Sequence, residues 1–212
     1  LPKIVKIQYR DNHMAVDLDH GETLKLPHSL ARAHRLETDR ELESLEYSRL
    51  KEESERFCCM DRALGYLSFR ARSAFEMSGY LKKKKFSPAI IEEVIRELRE
   101  KRYLDDRAYA LALVQSKMTK KAVGINLLKH QLAAKGLSRS IIDWALRESG
   151  ASETDMHAVY ETARKKFDSL QGDEKRLGRV YRFLLQRGFP PDAAGRAVKQ
   201  LKSEDYPDRD DE

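Results

Sequence analysis

Three stretches of the chain align with one another: YLKKKKFSPAIIEEVIREL from residue 80, QLAAKGLSRSIIDWAL from 131, and FLLQRGFPPDAAGRAVKQL from 183. In each, a leucine (Leu81, Leu132 or Leu184) is followed five positions later by Phe86, Leu137 or Phe189. Apolar residues recur five, eight and nine positions further on: Ile91, Val94 and Ile95; Ile142, Ala145 and Leu146; Ala194, Ala197 and Val198. That spacing is the buried stripe of a helix and not the alternation of a strand. The anchors lie 51 and 52 residues apart, which is room for three short helices per unit. A repeat of fixed period decides the architecture before any single motif does. Each unit reads as a helix-turn-helix-like three-helix bundle, and linked bundles of this kind predict an elongated, monomeric array.

Local punctuation agrees. Ser73 with Glu76 spells a capping box, Ser87 followed by Pro88 is an N-cap with proline at the first helical position, and Ser138 and Asp105 or Asp106 can cap further helices. Gly136 and Gly188 stand where a helix needs a left-handed C-cap. Ahead of the repeats, apolar residues alternate: Val5, Ile7 and Tyr9, then Met14, Val16 and Leu18, then Leu24 and Leu26, with breaks at Asp11-Asn12 and His20-Gly21. This predicts a small antiparallel meander. Beyond Pro27 the period becomes helical, and Thr38 with Glu41 predicts a capping box ahead of a long charged helical segment, broken near residues 46 to 55 and ending about Phe69. The expected organisation is therefore a mainly α protein: a β meander over 1–27, a helical linker over 28–59, repeats over 60–106, 107–152 and 153–202, and an acidic disordered tail over 203–212.

Charge is distributed unevenly along this plan. Residues 1–55 carry 9 basic and 12 acidic side chains, residues 56–202 carry 31 and 17, and residues 203–212 carry 1 and 6. The repeats thus form a strongly basic body, which favours a polyanionic partner. The candidate contact residues are Arg70, Arg72, Lys82, Lys83, Lys84, Lys85, Lys117, Lys120, Lys121, Lys129, Lys135, Arg139, Arg176, Arg179, Arg182 and Arg187. The run Lys82 to Lys85 falls at a helix end and its connector. One cation there suffices to offset the helix dipole, by about 0.3 to 1 kcal/mol, so four point to a further contact.

No Gly-rich phosphate loop, HExxH or paired CxxC occurs, and the six histidines are scattered. No cofactor or metal is expected. Asp105 and Asp106 precede an apolar helix and read as caps rather than an acid–base pair. Tyr103, Tyr109 and Trp144 offer faces for base stacking, but Tyr109 and Trp144 share helical faces with Leu113 and Ile141 and read as core. The adjacent Cys58 and Cys59 are expected to be reduced, because neighbours on a helix point apart. No long apolar run is present and the first 20 residues are charged throughout, so a cytoplasmic protein without a membrane partner is expected.

The elements RALGYLSFRARSAFEM at 62–77, KRYLDDRAYA at 101–110, KGL at 135–137 and RGF at 187–189, set in three units, resemble the bacterial RecX family, modulators of the RecA recombinase. The resemblance covers about residues 60–201. It implies a non-enzymatic regulator, acting in DNA repair, recombination and the SOS response, that binds the RecA–DNA filament and mostly inhibits recombinase, ATPase and co-protease activity, with weak, sequence-independent DNA contact. Lys85 and Arg102 stand where the family usually has glycine, which leaves open whether the first connector closes with a left-handed cap. Two other readings compete: a stand-alone helix-turn-helix-like DNA-binding protein, although no short helix concentrates the Arg, Asn and Gln that read bases, and a structural adaptor kept soluble by its basic faces.

Overall fold

The computed structural model describes residues 1–120, 123–151 and 154–205, with the side chains of Thr119 and Lys120 left aside. The chain divides into two compact units, Leu1–Leu104 and the residues from Asp105 onward.

The first unit opens with the meander β1 (Ile4–Tyr9), β2 (Met14–Leu18) and β3 (Thr23–Leu26), antiparallel in that order. Its phase in β1 differs from the alternation read in the sequence. A register irregularity between Ile4 and Lys6 sets Ile4 opposite Leu18 and Ile7 opposite Val16, so these two, three apart, share the core face while Val5 and Tyr9 are exposed. An inserted residue in one strand has this effect. After the short α1 (His28–Ala33), the chain returns along β1: Asp39 N donates to Ile4 O (2.8 Å), Ile4 N to Arg40 O (2.9 Å) and Leu42 N to Pro2 O (2.9 Å). Glu41 therefore bridges Lys3 in an edge segment while Thr38 lies in the turn before it, and no capping box forms there. The helix α2 starts later, at Ser44, and runs unbroken through Leu67 without the break expected near residues 46–55.

This single helix serves two cores. Leu50 packs with Ile4, Val16, Leu24 and Leu26 of the head, whereas Cys59 and Ala63, further along the same helix, pack with α3 (Ala74–Lys83) and α4 (Pro88–Glu100) through Met77, Leu81, Ile91, Val94 and Leu98. Apolar burial of this kind contributes roughly 25 cal/mol per Å². Burial also pushes the Cys59 thiol up to about 12, and both cysteines are free.

The second unit repeats the motif twice. Helices α5 (Asp106–Lys120), α6 (Ile125–Ala133) and α7 (Arg139–Glu148) enclose Val114, Leu128, Leu132, Ile142 and Leu146. Helices α8 (Met156–Asp168), α9 (Arg176–Gln186) and α10 (Pro191–Asp205) enclose Val159, Phe167, Leu184, Phe189 and Leu201. Tyr109 and Trp144 pack against the first of these cores, as their helical faces predict. The last helix extends into the segment expected to be tail: Glu204 accepts from Tyr160 and Arg164, and Asp205 pairs with Arg176. The remainder of that tail, 206–212, lies outside the described residues.

Helix ends of the repeats fall at the caps read from sequence, although the side chain of Ser87, the N-cap of α4, makes no capping bond. Glu76 N donates to Ser73 Oγ (3.1 Å) and Ser73 N to Glu76 Oε2 (3.3 Å), completing the capping box. Asp105 Oδ1 accepts from Arg107 N (2.8 Å) and Ala108 N (3.0 Å), which is a cap and not a catalytic arrangement. Among the described residues no helix is long and apolar enough to cross a membrane.

Candidate nucleic-acid and partner interface

The connector between the last two helices is built alike in all three repeats. The amides of Phe86, Leu137 and Phe189 donate back to the carbonyls of Leu81 (3.4 Å), Leu132 (3.4 Å) and Leu184 (3.1 Å). Between each pair sits a residue with positive φ: Lys85 at 66°, Gly136 at 72° and Gly188 at 85°. This is the Schellman ending, in which a left-handed residue lets the chain cap the helix's free carbonyls. The same backbone therefore forms at Lys85 without glycine, as it also does at Arg102 (φ 59°).

Its consequence is placement. Lys82 and Lys83 close α3, Lys84 is its C-cap, and all four lysines through Lys85 are exposed. Lys84 Nζ lies 5.7 Å from the centre of the Tyr80 ring, which stacks on Tyr66 with ring centres 4.0 Å apart. On the far side of Tyr66 the Arg72 guanidinium lies 3.9 Å from the ring centre. A ladder of cation, ring, ring and cation thus ties α2 to both ends of α3, and at an exposed cation such as Lys84 the cation–ring step contributes only about 0.5 to 1 kcal/mol. Arg72 is consequently a packing residue. Arg70 is held nearby by Glu76 Oε1 (3.0 Å) and Ala71 O (3.0 Å).

The other basic residues divide between repeats two and three. In the second, Lys129 is exposed, Lys117 and Lys135 are half-buried, and Arg139 lies 3.8 Å from Asp143. Lys120 is the last residue of α5 and Lys121 lies outside the described residues. In the third, Arg176 covers the Phe167 ring (4.2 Å) while pairing with Asp205, and Arg179 pairs with Asp173 (2.8 Å). Arg182 is exposed, and Arg187 lies 5.5 Å from the Phe183 ring centre. The described candidates thus differ in environment within each unit. Paired or stacked members such as Arg70, Arg72, Arg176 and Arg179 hold the fold, and the lysine run is the largest group of exposed cations free of ion pairs among the described residues.

Arg187 also marks a close junction inside the second unit. Its carbonyl accepts from Gly124 N (2.9 Å), and Gly188 O accepts from Asn126 N (3.0 Å). The start of α6 is thereby seated on the connector of the third repeat. A Cβ on Gly124 would fall 2.1 Å from Gly188 C, and one on Gly188 would fall 2.3 Å from Leu127 N. Only glycine admits backbones at this separation.

Two basic residues escaped the sequence reading: Lys25 on β3 and Arg62 on α2 flank a cleft that also takes in Lys84. Each is isolated in its own segment, and only the unbroken helix brings them beside the connector. His13, in the same cleft, is held below its usual pKa by burial and by Lys25.

Comparison with known proteins accords with this architecture. Family models described as the first, second and third three-helix domains of RecX match residues 59–98, 105–146 and 153–198. The chain is 33% identical over 143 residues to "Regulatory protein RecX" of Prosthecochloris aestuarii, covering 67% of this chain and 92% of that one. It is 31% identical over 178 residues to the protein of that name in Bacillus subtilis, covering 84% and 67%. A crystal structure titled as regulatory protein RecX superposes with a TM-score of 0.70 at 24% identity, covering 91% of this chain and 97% of the other, and shows the shared fold. With three matched domains, a matched order and relatives above 30% identity, the chain belongs to the RecX family.

Proposed function

We propose that the protein is a non-enzymatic regulator that binds the RecA–DNA filament and mostly inhibits its recombinase, ATPase and co-protease activities. The observation that carries this reading is the connector of the first repeat. The three connectors share one backbone, yet the first displays Lys82 to Lys85 where the other two offer Lys135 or Arg187 alone. Structure requires no more than one of these charges. The surplus is exposed and free of ion pairs among the described residues, so it is available to an acidic protein face or to phosphates.

A stand-alone reader of duplex DNA fits less well. The second helix of a helix-turn-helix enters the major groove, but here α4 exposes Glu92 and Glu100 beside Arg96 and Arg99, and these acids would meet phosphates.

Changing Lys82, Lys83 and Lys84 together to Gln tests the proposal. Binding to a recombinase filament assembled on single-stranded DNA is expected to weaken many-fold at low salt, suppression of ATP hydrolysis to weaken with it, and melting temperature to change little. Undiminished suppression would overturn it. Gln in place of Lys135 or Arg187 is expected to have a smaller effect on filament binding.

A further inference from the structure

The first unit contains a concave site that joins the head to the lysine connector. The hairpin turn at Asn12 and His13, the strand β3, the middle of α2 and the connector surround a cleft of about 380 Å³. Lys25, Arg62 and Lys84 line it, against the single carboxylate of Asp61. None of these three cations makes an ion pair within 4 Å among the described residues, although Lys3, Lys51, Arg56 and Lys101 all do. Their backbones are fixed: Lys25 N donates to Ser54 Oγ on α2 (2.8 Å), and Lys84 N to Tyr80 O (3.2 Å) and Leu81 O (3.0 Å). Phe57 and Phe86, both half-buried, add aromatic surface, and His13 packs its ring against Phe57 with centres 5.6 Å apart.

Three cations against one carboxylate leave the concavity with surplus positive charge, and a concave surface concentrates that field. Cations interleaved with partly exposed aromatic rings are what a single strand of nucleic acid requires, with phosphates on the cations and an unstacked base against a ring. A duplex keeps its bases stacked inside and gains nothing from the rings, and an acidic peptide offers no π-face. We propose that the head and the first repeat together form a binding cleft for a segment of single-stranded nucleic acid, with Lys25, Arg62 and Lys84 on its phosphates and Phe57 and Phe86 beside a base. This deepens the filament reading by giving the head a part in the contact, and it is tested without recombinase so that the two stand or fall separately.

The test measures binding of the full chain to a fluorescent oligo(dT) strand about 15 nucleotides long, by anisotropy over a salt series. Lys25→Gln and Arg62→Gln are each expected to lower affinity about 5- to 10-fold at roughly 50 mM salt, and to flatten the slope of log affinity against log salt by about 0.7. Lys165→Gln removes the same charge from an exposed site on α8 and is expected to leave binding nearly unchanged. Phe57→Leu is expected to weaken oligo(dT) binding but not the salt slope. Equal losses from Lys25→Gln and Lys165→Gln would overturn the cleft in favour of a diffuse field. Competition by poly-glutamate at matched charge as strong as by oligo(dT), or duplex binding as tight together with no effect of Phe57→Leu, would overturn the assignment to a single strand. Unchanged melting of the variants excludes unfolding as the cause.

Discussion

Replacing Gly124 by Ala puts a methyl group into the tightest contact of the second unit. Its carbon would lie 2.1 to 2.2 Å from Gly188 C and O and Phe189 N, where ordinary contact begins near 3.4 Å. The two backbones must then part by roughly 1.3 Å, the difference between those distances. Such a shift breaks the bonds from Gly124 N to Arg187 O (2.9 Å) and from Asn126 N to Gly188 O (3.0 Å). Two hydrogen bonds contribute about 2 kcal/mol net, and forcing extra volume into packed structure costs about 1 to 3 kcal/mol more. Against this, Gly124 has φ −74° and ψ 153°, which alanine adopts readily, so the stiffer unfolded chain returns about 0.4 to 1 kcal/mol. A net loss of about 3 kcal/mol is expected. The protein's one tryptophan, Trp144, lies in the second repeat and reports its unfolding in urea. Hydrogen exchange at the Gly124 and Asn126 amides should accelerate together. Because Gly188→Ala breaks the same seat, the double variant is expected to lose less than the sum of the singles. A loss below about 0.5 kcal/mol with unchanged amide protection would refute the reasoning.

Two further outcomes follow from the first unit. Lys85→Gly removes the strain of a side chain at φ 66°, about 1 to 2 kcal/mol, against an entropic loss of about 0.5 to 1 kcal/mol; a small rise in melting temperature is expected, and a fall would contradict the left-handed cap. Glu22, which accepts from the Tyr47 hydroxyl and pairs with Lys51 (2.9 Å), has its pKa lowered to about 2. A depressed carboxyl stabilises the fold above its unfolded pKa and loses that contribution as pH falls toward the folded value, so Glu22→Gln should flatten the decline in stability between about pH 4.5 and pH 2, as seen in urea melts across that range.

The repeats were legible because each signal is local. Leu81, Leu132 and Leu184 sit one helix turn before a chain reversal, and the apolar residue five positions on must fold back over them whatever surrounds it. Caps at Ser73 and Asp105 depend on neighbours two or three residues away and were equally readable. Less legible was anything set by a partner distant in sequence. The edge segment at Asp39 to Leu42 pairs with the start of β1, and no pattern within it distinguishes that from a helix start. The cleft required Lys25, Arg62 and Lys84 to meet, which follows from how α2 packs and not from any of the three segments. Arg72 has the composition of a phosphate ligand, and only the Tyr66 ring beneath it shows that it is spent on packing.

The uninterrupted course of α2 bears on how the first unit assembles. Twenty-four residues of helix extend about 36 Å, enough to carry Leu50 under the sheet and Ala63 into the following bundle. Starting a helix is unfavourable, whereas lengthening one is not, so a single helix nucleus suffices for both hydrophobic centres. The head and the first bundle thus rest on one shared rod, whereas the second and third repeats each open with a helix of their own.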